Sequence, residues 1–255
     1  VLAAAGVVLG LVGGGLSVLR SEEQPVRRRL AGVLFAGSAG VAAIAALVQV
    51  DSMDVSGSAP GLAATLTLFT LGVLGYVLAP TLLGQAVVAV GAVFSVPQAL
   101  EVLGIRESVE WGGPDAIVFG VAVLAIGLAW LALAEKGMWR EVASARVIGC
   151  GICLAGAQIP LGSADHSWVA YVLTTLVAVT GFAVYVARQA WPYLAVGVVG
   201  LTLVVPEALL DWFEGAMGPA GVLMVAGVTL LGTSLLGLRL RQEAGEHAEE
   251  RQHTD

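Results

Sequence analysis

"LGVLGYVLAPTLLGQAVVAVGAVFSVPQAL", residues 71 to 100, is apolar almost throughout and is broken only by "APT" at 79 to 81. The surrounding apolar run extends from residue 61 to 103, and as one straight helix it would be about 65 Å long at 1.5 Å per residue. That is twice the roughly 30 Å of hydrocarbon in a bilayer. Pro80 brings no amide donor and clashes with the preceding turn, so it ends one helix and forces a tight reversal into the next. The stretch predicts two antiparallel helices, 61 to 79 and 82 to 103.

Working outward, the rest of the chain repeats the same composition. Of 255 residues 58% are hydrophobic and 12% charged, with a mean hydropathy of +0.90, whereas soluble domains carry about 25% charged residues. A membrane span needs roughly 20 mostly apolar residues, and nine stretches qualify: 1 to 19, 30 to 50, 61 to 79, 82 to 103, 116 to 134, 147 to 162, 168 to 187, 190 to 210 and 219 to 238. The expected fold is an all-α membrane protein, a polytopic bundle of about nine transmembrane helices, the sixth being the shortest.

Basic loops stay cytoplasmic, and nine spans put Arg20, Arg27, Arg28, Arg29, Lys136, Arg140, Arg146, Arg188, Arg239, Arg241 and Arg251 on one side. Only Arg106 falls on the other. The amino end is therefore expected outside and the carboxyl tail in the cytoplasm. Acidic residues are shared by both sides, which leaves a net charge of −9 outside and +2 inside against −7 for the whole chain. Six tryptophans, Trp111, Trp130, Trp139, Trp168, Trp191 and Trp212, lie near the expected boundaries, where an amphipathic ring favours the headgroup layer. The chain starts at Val1, and its first apolar stretch has neither a basic n-region nor an evident cleavage site. That argues against a signal peptide and for further protein ahead of it. Arginine in place of lysine and a wealth of Ala, Val, Gly and Leu suggest a GC-rich bacterial genome, and hence a bacterial plasma membrane.

The opening stretch also has a partner. "AVVAVGAVFSVPQAL" at 86 to 100 aligns without gaps on "AVGVVGLTLVVPEAL" at 195 to 209, an offset of 109 residues. The same offset pairs Gly72 with Gly181 and Tyr76 with Tyr185, and a "GP" follows each copy at 113 to 114 and 218 to 219. Matches among Ala, Val, Gly and Leu are cheap in such a chain; Pro, Tyr and Gly-Pro in one register are not. A shared register of this kind is expected from a duplicated multi-helix unit. The expected organisation is a first helix with its basic loop (1 to 29), a four-helix repeat (30 to 135), a second (136 to 238) and a charged tail (239 to 255). Both repeats start on the same side, as parallel repeats do.

Candidate chemistry clusters where the repeats match. Pro97 and Pro206 are expected to kink or end their helices, each freeing a carbonyl one turn earlier, at Val93 and Thr202. Interrupted helices at corresponding places in two halves are a pointer to a transporter site. Gln98 and Glu207 follow the two prolines; Glu101 shares a helix face with Gln98, and Asp211 and Glu214 share one with Glu207. Together they are candidate substrate-binding residues of an acidic, cation-gathering outer mouth, with Gln158, two residues before Pro160, as a further candidate. Against this stands the plainer reading that Glu207 lies at the headgroups near Trp212. Gln49, Gln85 and Gln158 within spans are expected to bond across helices, for about 0.6 kcal/mol each.

"CGIC" at 150 to 153 puts two thiols on one helix face, but it has no thioredoxin-like setting and no set of four zinc ligands; packing between helices explains it. No His falls within a span, and no Ser/His/Asp set, Walker loop, dinucleotide fingerprint or H-E-x-x-H occurs. Neither an enzyme nor a metal or cofactor protein is expected. No polybasic block suggests nucleic acid. The expected partners are the lipid bilayer and other membrane proteins or further copies of the chain. The expected role is a transporter or channel-like carrier of a small or lipid-like solute, with a non-catalytic subunit or scaffold of a larger envelope complex as the alternative.

The orientation is testable by labelling. In a cysteine-free background, Ser52→Cys should react with an impermeant maleimide added outside intact cells and Met138→Cys should not; the reverse pattern overturns the assignment.

Overall fold

The structure is a computed structural model that describes residues 2–20, 25–53, 55, 57–105, 115–163, 166–212, 221, 223–235 and 238–239. Among them every regular element is helical: α1 (Leu2–Arg20), α2 (Pro25–Asp51), α3 (Ala59–Leu78), α4 (Leu82–Val102), α5 (Asp115–Glu135), α6 (Val142–Gln158), a 3₁₀ turn (Ile159–Gly162), α7 (Ser167–Arg188), α8 (Trp191–Trp212) and α9 (Leu223–Leu235). Seven segments, running from α2 to α8, are long and apolar enough to cross a membrane. The described apolar parts of the first and last helices, Val7–Leu16 and Leu223–Leu235, are shorter.

The reversal at Pro80 forms as its residues dictate. α3 stops at Leu78. Thr81 then takes an extended backbone and its hydroxyl accepts the Gly84 amide at 3.2 Å, satisfying one of the orphan donors that begin α4. On α7 the distribution of side chains is the inverse of a soluble helix. Ala170, Thr174, Ala178, Gly181 and Tyr185 are buried, while Val172, Leu176 and Val179 are about half exposed. Small and hydroxyl-bearing residues inside with large apolar ones outside is the pattern of helices that pack in lipid.

The chain forms two compact units, Val1–Glu110 with Leu128–Gly149, and Trp111–Gly127 with Cys150–Asp255. In the first, Phe35 of α2 acts as a wedge. A Cβ added at Gly15 of α1 would lie 2.9 Å from its ring, and one at Gly75 of α3 would lie 2.9 Å from its Cβ. Phe35, Ala31 and Ala79 form a buried cluster. In the second unit the α5–α6 seam is closer still. A Cβ at Gly156 would lie 2.5 Å from the Leu124 amide nitrogen, and one at Gly127 would lie 2.7 Å from both the amide nitrogen and Sγ of Cys153. Cys150 and Cys153 are both buried, with Cys153 filling this seam.

The α3–α4 and α7–α8 hairpins make matching contacts. Gly72 faces Val87 and Val88, and Gly181 faces Val196 and Gly197; Gly91 abuts Phe69, and Gly200 abuts Ala178. Each pair maps on the other by the same 109 positions.

Two expectations need correction. α4 continues past Pro97 to Val102 and α8 continues past Pro206 to Trp212, so neither proline ends its helix. Both prolines are buried, and a helix tolerates proline where surrounding helices hold the freed backbone. Trp130 and Trp139 also depart from a headgroup role. Their rings stack with centroids 4.3 Å apart, Tyr76 meets Trp139 edge-on at 5.0 Å, and Trp130 is only 4% exposed. Trp168 and Trp191 are 60% and 61% exposed, as interface rings would be. Trp111, Glu214 and residues 240 to 255 lie outside the described residues.

The seams predict a sharp contrast. Gly156→Ala and Gly91→Ala should each lower thermal stability by about 1 to 3 kcal/mol, because the new methyl meets backbone that has no room to yield. Gly151→Ala, with nothing within 4 Å, should be neutral or stabilising by about 0.5 kcal/mol. Thermal unfolding of the purified variants in one detergent checks both signs.

Candidate functional site

In the second unit a group of polar side chains meets at the C-terminal end of α8. Glu207 and Asp211 lie one turn apart on that helix, and Ser167 and Tyr171 lie one turn apart at the start of α7. Gln158 is the last residue of α6. Pro160 is buried in the 3₁₀ turn that follows, against Gly120 of α5, and this packing fixes where the helix stops.

These placements create a chain of hydrogen bonds across three helices. The Gln158 amide donates to the Glu207 carboxylate at 3.2 Å. The Tyr171 hydroxyl donates to the Asp211 carboxylate at 2.6 Å, and the Ser167 hydroxyl donates to the same oxygen at 3.0 Å. A short O–H···O⁻ contact of this length is charge-assisted, the stronger kind of hydrogen bond. The phenol also lies 3.5 Å from the main-chain carbonyl of Glu207. Glu207 is half-buried and Asp211 exposed, so the cluster grades from the interior of the unit to its surface.

Of the sequence candidates, Gln158, Glu207 and Asp211 thus come together in one network. Gln98 and Glu101 lie in the other unit, at the C-terminal end of α4. There the Ser58 hydroxyl donates to the Gln98 main-chain carbonyl at 3.3 Å, the Gln98 side chain runs against Gly61, and its Oε1 is buried with no hydrogen-bond partner. Glu101 reaches toward Gly57, whose φ of +84° suits a residue without a side chain. Pro97 and Pro206 lie just before Gln98 and Glu207 within their helices.

Tyr171 and Ser167 were not singled out from sequence. Their spacing at the head of α7, matching that of Glu207 and Asp211 at the tail of α8, is the signal that would have found them. A second network in the first unit centres on Gln85, which is fully buried. Its amide donates to the Tyr76 hydroxyl at 3.2 Å and to the Glu141 carbonyl at 3.3 Å, while its oxygen accepts from Ser144 at 2.9 Å. Tyr76 in turn accepts the Arg140 main-chain amide at 2.8 Å. Arg146 closes the same region with a two-pronged pair to Glu135, at 2.8 and 3.3 Å. Gln85 and Gln158 therefore both bond between helices.

Chemically, the α6–α7–α8 cluster offers two carboxylates and several neutral oxygens, a set that attracts cations and hydrogen-bond donors. Among the described residues no group of three or more His, Cys, Asp or Glu side chains is placed to hold a metal ion. No family model, curated protein or solved structure matches the chain.

The two networks should differ in their stabilising effect. Tyr171→Phe and Gln158→Ala should each cost about 0.6 kcal/mol, the average for a hydrogen bond between helices in a membrane. Gln85→Ala should cost clearly more, because it strands the buried partners of three bonds. Chemical denaturation of the three variants ranks them, and an equal loss in all three would contradict the assignment.

Proposed function

We propose that the chain is a non-enzymatic, multi-pass protein of a bacterial plasma membrane. In this reading it takes up a small cationic or lipid-like solute at the α6–α7–α8 cluster, which faces outside. The observation that carries the reading is the Gln158–Glu207 bond. It ties the carboxylate to a neighbouring helix, which supports a placement between helices, since a charge left facing lipid is costly. A grouped pair of carboxylates in a chain with only 12% charged residues raises the local concentration of cations. The matching contacts of the α3–α4 and α7–α8 hairpins support an origin by duplication, with Gln98 and Glu207 as the divergent members of one ancestral position.

One observation favours a second reading, a non-catalytic membrane subunit or scaffold. The crevice bounded by Gly32, Phe35, Gly72, Gly75 and Gly84 in the first unit is too narrow for water, as a purely structural bundle would be.

Reconstitution into liposomes with labelled organic cations and lipid analogues separates the two. A carrier should show saturable uptake that Glu207→Gln reduces at least tenfold without loss of folded protein. Absence of uptake for every class, with a stable stoichiometric protein partner recovered from membranes, would replace the carrier by the scaffold.

A further inference from the structure

The first unit collects positive charge at one end. α2 begins with Arg27, Arg28 and Arg29, and Gly32, one turn beyond Arg28, lies against Thr81 in the α3–α4 turn. Arg28 is therefore carried on the face of α2 that overlies this turn. The α5–α6 connection comes to the same end, because the Arg140 amide is bonded to Tyr76 and the Glu141 carbonyl to Gln85, and both Tyr76 and Gln85 lie close to that turn in sequence. Lys136 and Arg140 are exposed there. Among the described residues of these segments, six basic side chains, Arg27, Arg28, Arg29, Lys136, Arg140 and Arg146, share this end with two acidic ones, Glu135 and Glu141, and Glu135 is taken up by Arg146.

Two further features point to what meets this face. The Arg28 Nε is buried without a hydrogen-bond acceptor. Beside the charges, Leu82 is 54% and Met138 66% exposed. The surface thus places guanidinium and ammonium donors next to uncovered apolar side chains, the complement of a molecule with an anionic head on a hydrocarbon tail.

We propose that this end of the first unit is a docking surface for anionic phospholipid. Arg28, Arg29 and Arg140 engage the headgroup phosphate, and the acyl chains lie along Leu82 and Met138. The bilayer's own anionic leaflet supplies the ligand, and each arginine near such a surface contributes roughly fivefold in affinity. The proposal rests on the chain being a membrane protein but not on its carrying a solute.

The test places the purified full chain in nanodiscs of phosphatidylcholine, alone or mixed with phosphatidylglycerol, and reads the lipid retained after detergent exchange by mass spectrometry. Wild type should retain phosphatidylglycerol preferentially, and R28Q/R29Q/R140Q should lose that preference on the order of a hundredfold. Equal retention of both lipids, or an unchanged preference in the variant, overturns the proposal. If the variant fails to fold, judged by the near-UV signal of the Trp130–Trp139 stack, the wild-type preference must instead fall with added salt; salt independence overturns it too. Displacement by soluble glycerol phosphate at the same concentration as lipid would mark a free-phosphate site and also overturn it. Glu207→Gln should leave the lipid preference intact, so failure of the carrier reading would be distinguishable. Recovery of the chain in the soluble fraction would instead refute the membrane reading.

Discussion

Backbone meeting backbone at glycine is the constraint on which the rest of this molecule depends. Seven of the helices are long and apolar enough to cross a membrane, and between such helices in lipid the hydrophobic effect is no driving force, which leaves van der Waals contact and hydrogen bonds between helices. Van der Waals attraction falls steeply with distance, and losing even 0.5 to 1 Å of approach forfeits about a quarter to a half of it. Gly91 on Phe69, Gly156 on Leu124 and Gly127 on Cys153 remove the Cβ that would otherwise hold these helices apart. The chain's 34 glycines are thus partly a packing device, and Cys153 is one of the small side chains set between them.

Close packing alone does not choose a register, because small apolar residues slide past one another at little cost. The polar networks supply that choice. Gln85 and Gln158 each bind a partner on another helix, and a one-residue slip would leave an amide or carboxylate unsatisfied in an apolar setting. Gln85, fully buried, offsets the penalty of burial with three bonds, while Gln158 sits at the last residue of its helix. Tyr76 and Tyr171 add to these networks, each phenol bonding to a partner on another segment beside a serine, Ser144 or Ser167, that does the same.

Much of the helical frame was legible in the sequence because hydropathy and proline act locally. Pro80 between two long apolar runs dictated a reversal, and α3 and α4 stop and start around it. Gln85 and Gln158 were legible as cross-helix donors because an amide within a span has few other options. What was not legible depends on which neighbour a side chain meets. Trp130 and Trp139 lie at helix boundaries, where headgroups and protein compete for an indole, and only the fold of the α5–α6 connection decides for stacking. Pro97 and Pro206 were expected to kink or end their helices on the energetics of an isolated chain, whereas both, in buried surroundings, lie inside helices that run on past them. Tyr171 is legible only through its one-turn spacing from Ser167, because its partner Asp211 lies 40 residues away on another helix.

The short 3₁₀ turn at Ile159–Gly162 has a consequence for reach and direction. A 3₁₀ helix rises about 2.0 Å per residue against 1.5 Å for an α-helix, so these four residues carry the chain about 2 Å farther than an α-helix would. They also wind about 120° rather than 100° per residue, which swings the exit by roughly 80° relative to a continued α-helix. The segment with the shortest α-helix of the long spans thereby recovers length. It also releases the chain in a new direction, toward the start of α7 with Ser167 and Tyr171. Overwinding at one proline-bearing turn thus acts as both a spacer and a bearing.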